Sequence, residues 1–345
     1  MYLFTMMMNK PKKLILIAAA GAAALAVASA AGASAKSGSL SLVAYSTPKP
    51  ALAQIISAFN KTSQGQGVSF SQSYGPSTNQ AKAVAAGQPA DLVFLSTGDD
   101  VNLLVDAGLV SSKWSRMSYD GIAANSVVVF VLRNGNPKHI KSWADLLKPG
   151  VTVDTPNPFS SGSAKWNVMA AYGAERRLGK TDAQATAYVK QLFTHVVSQD
   201  TSASNAMNTF LSGKGDVLIT YESEALNARL QGKNVQFVIP HQTMLIQLPV
   251  AVLLNSKNRD TANAFALFMK SVPAQKLFAQ FGFRPVNPKV ANLASVKKEF
   301  PQPSGLIRID DKYIGGWRAV DKTWFDPKNG RMVKIEQGDG GPSSG

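Results

Sequence analysis

Apolar and polar positions change period in a regular way along the chain after residue 36. Leu40 to Tyr45 alternate as a strand, and Leu52, Ile55, Ile56 and Phe59 then recur at helical spacing, which predicts a β-α opening. The alternation continues through a strand at Gly67–Ser73, a helix at Thr78–Ala86, a strand at Asp91–Leu95 and a helix at Val101–Ala107. A second series starts at the apolar strand Ser126–Leu132. It runs through Trp143–Leu147, Val151–Val153, a helix after Ser161, the helix Ala183–Phe193 and the strand Val217–Thr220. Past Pro240, a further strand at Leu248–Leu254 precedes amphipathic helices at Thr261–Met269 and Ala274–Phe281. Strands that alternate with helices build sheets covered on both faces.

The expected fold class is therefore α/β: mixed sheets with helices on both faces, in two lobes with a ligand cleft between them. The 345 residues exceed what a single core usually organises. The economical topology joins the lobes by two crossing segments, near Ser118–Val127 and Gln242–Pro249, and returns the C-terminal third to the first lobe. This reading puts residues 36–122 and 247–337 in the first lobe and 123–246 in the second. Residues 338–345 form a Gly-, Ser- and Pro-rich tail expected to be disordered.

The first 35 residues follow another pattern. Lys10, Lys12 and Lys13 precede a 15-residue apolar run, Leu14–Ala28, and small residues then offer Ala28-Ser29-Ala30 and Ala33-Ser34-Ala35 as cleavage sites. That is the pattern of a signal peptide, and the run is shorter than the roughly 20 residues that span a bilayer. The mature chain is expected to be exported and soluble. With no cysteine it is not a lipoprotein, and it has no disulfides, thiolate metal sites or cysteine nucleophile. His139, His195 and His241 show no ligand spacing, so neither a metal nor any cofactor is expected. Without the leader's three lysines the chain keeps 33 basic and 21 acidic groups, a formal charge of +12. Its dispersed lysines suit long-range attraction of anions, and the absence of a basic helix or aromatic-interleaved patch argues against nucleic acid.

Three strand-to-helix turns carry the candidate chemistry. The first is Ser73-Tyr74-Gly75-Pro76-Ser77-Thr78, with Ser77 at a helix N-cap. The second runs from Thr155 through Ser161, Gly162, Ser163 and Ala164 to Lys165 and Trp166, with Ser161 and Gly162 opening the helix. The third, Asp200-Thr201-Ser202-Ala203-Ser204-Asn205, leads into a helix with Met207 and Phe210. A helix start presents unpaired N–H donors and a partial positive charge, which suits a tetrahedral oxyanion. A serine there is also an ordinary cap, so it is the repetition at equivalent places that points to a ligand. Tyr221, at the end of the strand Val217–Thr220, adds a hydroxyl from the cleft wall. Enzyme motifs are absent: there is no Gly-x-Ser-x-Gly elbow, phosphate loop, dinucleotide fingerprint or His-Glu-x-x-His. Phe210–Gly215 reads as a helix end and turn, and Glu222 and Glu224 as solvated or capping residues.

These turns resemble those of the periplasmic sulfate- and thiosulfate-binding proteins that serve ABC transporters. The resemblance spans nearly all of the mature chain. It rests most specifically on Val129–Lys138, on Thr155-Pro156-Asn157-Pro158 with Ser161–Asn167, and on Gly215–Ile219 with Glu222–Ala225. Phe283-Arg284-Pro285 and Gly315-Gly316-Trp317 extend it. It implies a type II solute-binding fold that closes over a dehydrated oxyanion held by neutral hydrogen bonds. It also implies that Ser77 and Ser161 donate through backbone and hydroxyl, and Gly162, Ser163 and Ala203 through backbone N–H. Ser163 stands where the family commonly has a second glycine, Thr47 or Ser46 near the family's aspartate, and Tyr221 in place of its indole.

The leading expectation is a sulfate-binding subunit, with thiosulfate as an equal or alternate ligand, a membrane permease of an ABC importer as partner, and a monomeric state. Molybdate and phosphate are alternatives, although monoprotonated phosphate needs an acceptor in the site. An exported hydrolase using Ser161 lacks an identifiable base. A ferric-ion carrier would need Tyr45, Tyr74 and Tyr221 to converge.

Overall fold

The computed structural model describes residues 38–338, so the signal-peptide segment and residues 339–345 of the expected tail lie outside the described residues. Gly338, assigned to that tail, closes a helix instead.

The described chain opens with β1 (Gly38–Tyr45), α1 (Lys49–Phe59), β2 (Val68–Gly75), α2 (Ser77–Ala85), β3 (Leu92–Phe94) and α3 (Gly98–Asp106). The chain then enters β4 (Ile122–Leu132), β5 (Val153–Pro156), α4 (Gly162–Arg177), α5 (Asp182–Phe193) and β6 (Val196–Asp200). It continues through α6 (Ala203–Leu211), β7 (Val217–Tyr221), α7 (Glu222–Leu230), β8 (Gln236–Val238) and β9 (Gln242–Val252). It finishes with α8 (Arg259–Phe268), α9 (Val272–Gln280), α10 (Pro288–Ala291), α11 (Ala294–Glu299), β10 (Gly305–Ile307), α12 (Trp317–Val320) and α13 (Arg331–Gly338). Trp143–Leu147 forms a 3-10 turn, held by a capping box between Ser142 and Asp145. The sequence reading missed β6, whose Val-Val-Ser-Gln-Asp is short and half-buried and lacks a clear period.

Strand order explains the lobes. The path is β2-β1-β3-β9-β4-β7-β5-β6, with β8 beside β4 and β10 beside β9. β1 pairs in parallel with β2 and β3, and β5 in parallel with β6 and β7. The long strands β4 and β9 run antiparallel between these two sets. β9 gives residues 250–252 to β3, while β4 gives Val128–Leu132 to β7, and the two pair with each other over Ile122–Val127 and Leu245–Pro249. The crossing segments are thus a two-stranded ribbon, made by strands eleven residues long, and β9 begins six residues earlier than its apolar run suggested.

Each set buries its own apolar face. Leu40, Leu42, Leu52, Phe59, Phe94 and Phe265 pack on the first, and Phe130, Trp143, Val153, Met169 and Ile219 on the second, all essentially without solvent contact. Burial on this scale is the main driving force for folding. The C-terminal segment touches both sets: Gly305 pairs with Gln242, and the Trp324 ring packs edge-on against Tyr172 with centroids 4.9 Å apart. Arg331 pairs with Asp182 on α5 at 2.8 Å, and Arg318 with Asp106 on α3. Residues 305–337, expected with the first lobe, therefore also lie against α4 and α5.

Candidate functional site

Parallel strands followed by helices place helix starts at the strands' carboxyl ends, and in this topology three such starts face one another. Ser77 begins α2 after β2, Gly162 begins α4 after β5, and Ala203 begins α6 after β6. Their first-turn N–H groups have no acceptor within their own helix. One small cavity is lined by Tyr45, Thr47, Gly75, Pro76, Ser77, Ser96, Ser161, Gly162, Ser163, Ser202, Ala203 and Tyr221. Every site residue anticipated from the sequence is in that set. Tyr45, Ser96 and Ser202 add to it. Tyr74 and the three histidines do not line it, so no three-tyrosine cluster forms.

The helix starts differ in detail from expectation. Ser77 is the first residue of α2, not its cap; Pro76 holds the cap position. The Ser77 hydroxyl donates to Asp100 Oδ2 at 2.6 Å and accepts the Ser96 N–H at 2.9 Å, so its proton is committed within the protein. Thr78 donates to the other oxygen of Asp100 at 2.8 Å. Ser161 sits at the N-cap of α4, and its side chain makes no cap hydrogen bond. Its backbone N–H is engaged, donating to the Asn157 carbonyl at 3.0 Å, which leaves the hydroxyl rather than the amide to face the cavity. At α6 the capping is done by Ser202, which accepts the Asn205 N–H at 3.2 Å, so Ala203 follows the cap directly.

Four buried hydroxyls on the cavity wall have no hydrogen-bond partner: Tyr45, Ser96, Ser163 and Tyr221. The first two come from the ends of β1 and β3, the last two from α4 and β7, so both sides of the cleft contribute. Such groups are rare in folded proteins and call for an explanation. Tyr45 and Tyr221 meet edge-on with ring centroids 6.3 Å apart. Burial pushes the Tyr221 phenol well above its usual range, against the smaller opposing influence of the adjacent Ser96 and Ser163 hydroxyls. Burial likewise raises Tyr45, helped by the neighbouring Tyr221 and then by the charge of Glu224. Both phenols remain protonated donors at neutral pH.

Glycine at position 162 has its reason across the cleft. A Cβ there would lie 2.0 Å from Ser96 Oγ, 2.9 Å from Thr97 Cγ2 and 3.1 Å from Asp100 Oδ2. The start of α4 thus presses against the turn between β3 and α3. Trp166 reinforces that contact by donating its indole N–H to the Ser96 carbonyl at 2.6 Å.

Lys165, the fourth residue of α4, is buried and pairs with Asp99 of α3, with Asp321 4.0 Å away. No lysine, arginine, histidine or carboxylate lines the cavity itself. Glu222 and Glu224 are not solvated: Glu222 forms a buried two-pronged pair with Arg284 at 2.6 and 2.9 Å, and Glu224 accepts from Ser204 at 2.8 Å. Both occupy the first turn of α7, where negative charge is favourable. Asp200 accepts from Ser198 and Thr209 and does not line the cavity. Phe210–Gly215 is the anticipated helix end and turn, clamped by Arg133, which donates to the Phe210 carbonyl at 2.7 Å.

Residues 40–284 match the pattern of the family described as bacterial extracellular solute-binding protein. The sulfate-binding protein of Synechococcus elongatus is 38% identical over 301 residues, covering 83% of this chain and 85% of that protein. The thiosulfate-binding protein of Escherichia coli is 34% identical over 286 residues, covering 80% and 83%. Among solved structures, the sulfate-binding protein SubI from Mycobacterium tuberculosis H37Rv superposes with a TM-score of 0.79 at 46% identity, over 82% of this chain and 98% of that one. The two-lobed topology, the cavity at three helix starts and these relationships converge: the chain belongs to the bacterial extracellular solute-binding proteins, within the group that binds sulfate and thiosulfate.

Proposed function

We propose that this protein captures sulfate, with thiosulfate as an alternate ligand, in the cavity at the starts of α2, α4 and α6, and hands it to the permease of an ABC importer. The observation that carries this reading is the set of four unpartnered buried hydroxyls converging with helix N-termini on one cavity free of charged side chains. A doubly negative tetrahedral anion satisfies such donors; a cation or an apolar ligand leaves them unpaired. The donors are the N–H groups of Ser77, Gly162, Ser163 and Ala203, the N–H or hydroxyl of Thr47, and the hydroxyls of Ser161 and Tyr221. In a dry cavity each hydrogen bond strengthens, and the helix starts spread the compensating positive charge over several peptide units.

The cavity's composition favours sulfate over monoprotonated phosphate, since no carboxylate lines it to accept the phosphate proton. It also gives Ser161 no base, which counts against hydrolysis. The basic mature chain adds long-range attraction, and the leader directs it to the periplasm as a soluble monomer. The lobes divide at the β4–β9 ribbon, with residues 36–122 and 247–337 assigned to the first and 123–246 to the second, residues 305–337 lying against both. Closure is a hinge motion of that ribbon. Calorimetry with sulfate, thiosulfate, molybdate and phosphate, alongside native mass spectrometry of the periplasmic protein, tests the reading. Sulfate or thiosulfate is expected to bind at least tenfold more tightly than phosphate, a gap of about 1.4 kcal/mol. Preference for phosphate overturns it.

A further inference from the structure

Tyr45 is nearly free of solvent contact, at 3% exposure, and its hydroxyl has no hydrogen-bond partner. It ends β1, so its backbone is fixed by parallel pairing with Gly75 of β2. Its ring is wedged edge-on between Phe94, with centroids 5.5 Å apart, and Tyr221 across the cleft, at 6.3 Å. The ring's apolar contacts explain why an aromatic stands there, but phenylalanine would satisfy all of them. They leave the hydroxyl unexplained, and a buried hydroxyl without a partner is a cost that phenylalanine would avoid. Ser96, near the end of β3, has the same deficit and lines the same cavity.

We infer that Tyr45 is a ligand-binding residue that sets selectivity among tetrahedral oxyanions, its phenol donating to the anion from the first lobe opposite the Tyr221 phenol of the second. The inference rests on the oxyanion-binding reading above and extends it to a contact outside the helix starts. The phenol is held in its protonated form by burial, as a donor to an anion must be. The two rings meet edge-on, so neither shifts without the other and the space left to the anion beside their hydroxyls is held at a fixed size, which adds discrimination by size to that by hydrogen bonding. Helix-start amides are adaptable in neither respect, but they are common to every tetrahedral anion and do not separate one from another. The Tyr45–Tyr221 pair therefore acts as a gauge: an oxyanion too small loses one phenol contact, and one too large separates the rings.

The test compares the full-length mature protein with Tyr45→Phe and Tyr45→Leu by calorimetry against sulfate and molybdate, with ligand-free thermal melting as a folding control. Tyr45→Phe keeps the ring packing and is expected to melt at the same temperature or slightly higher, yet to bind sulfate about 10-fold to 100-fold more weakly, the loss of one hydrogen bond to a charged group. Tyr45→Leu widens the cavity and is expected to shift the sulfate-to-molybdate affinity ratio toward molybdate. If the parent protein binds sulfate and Tyr45→Phe binds it within twofold, the inference is overturned while the proposed function stands. If the parent protein binds no oxyanion, both fall. A Tyr45→Leu variant that folds and keeps the parental ratio removes the selectivity role.

Discussion

The ammonium of Lys165 on α4 and the carboxylate of Asp99 on α3 form a buried ion pair that bridges the two sides of the cleft beside the cavity. Burial lowers the lysine's affinity for its proton, and the neighbouring Asp99 and Asp100 more than reverse this, so Lys165 stays charged. The pair exists only when α4 sits against the β3–α3 turn. On the proposed hinge closure it belongs to the closed arrangement of the lobes. Removing one partner of such a pair strands the other, at a cost of about 3–5 kcal/mol. Lys165→Met is expected to lower the melting temperature and weaken sulfate binding together, and Lys165→Met with Asp99→Asn to recover part of both. Melting curves and calorimetry check this; full independence of the two substitutions rules out the bridge.

The two serines that open helices at the cavity make opposite predictions. Ser161→Ala removes a hydroxyl that caps nothing, so ligand-free stability stays within about 0.5 kcal/mol while sulfate affinity falls about 10-fold to 100-fold. Ser77→Ala takes a donor from Asp100 and an acceptor from the Ser96 N–H, so its main effect is on stability, about 1–3 kcal/mol. Measuring both variants by denaturant unfolding and calorimetry separates ligand contact from scaffold. A stability loss at Ser161, or a purely affinity-based loss at Ser77, contradicts the assignment.

Gly162 is a steric requirement of closure. A valine there places atoms inside the van der Waals shells of Ser96, Thr97 and Asp100, all on the opposite side of the cleft. Gly162→Val is expected to fold, since the clashing atoms all lie on the opposite side of the cleft, but to remain open. Small-angle scattering with saturating sulfate should show the parent protein contracting and this variant keeping its ligand-free radius. Contraction of the variant locates the closing contact elsewhere.

The sequence made the helix starts legible because serine, glycine and proline at strand-to-helix junctions are local signals that tertiary context rarely rewrites. The same locality hid what lay across the cleft. Nothing near Lys165 announced its ion pair because its partner, Asp99, is 66 positions away, and Ser77 read as a free donor because Asp100 is 23 positions away. Ser96 and Tyr45 carried no turn signal: one follows a three-residue buried strand and the other ends an apolar run, where a tyrosine reads as core. The fold's alternation was visible throughout. The ribbon of β4 and β9 was only half visible, since the polar residues Gln242, Thr243 and Gln247 interrupt an apolar strand pattern although the backbone pairs through them.

The pH dependence of binding follows from Asp99 rather than from the cavity. Backbone amides, serine hydroxyls and raised phenols do not titrate near neutrality, so affinity for sulfate should be flat between about pH 7 and 8.5. Burial pushes the Asp99 carboxyl from its ordinary 3.8 up to about 6, against the pull of Lys165 and with the added push of Asp100 and Asp321. Three carboxylates thus surround one ammonium. If opening the cleft returns Asp99 to water and its ordinary value, the closed form binds that proton more tightly than the open one. Closure then takes up a proton between about pH 4 and 6, and acid favours the closed, ligand-holding state. Sulfate affinity is expected to rise as pH falls through 6, because the two other carboxylates keep Lys165 paired when Asp99 takes up its proton, and Asp99→Asn is expected to abolish the rise. Titrations at pH 5, 6, 7 and 8 on both proteins decide the matter. Affinity that weakens below pH 6, or a rise that survives Asp99→Asn, removes Asp99 from the closing step.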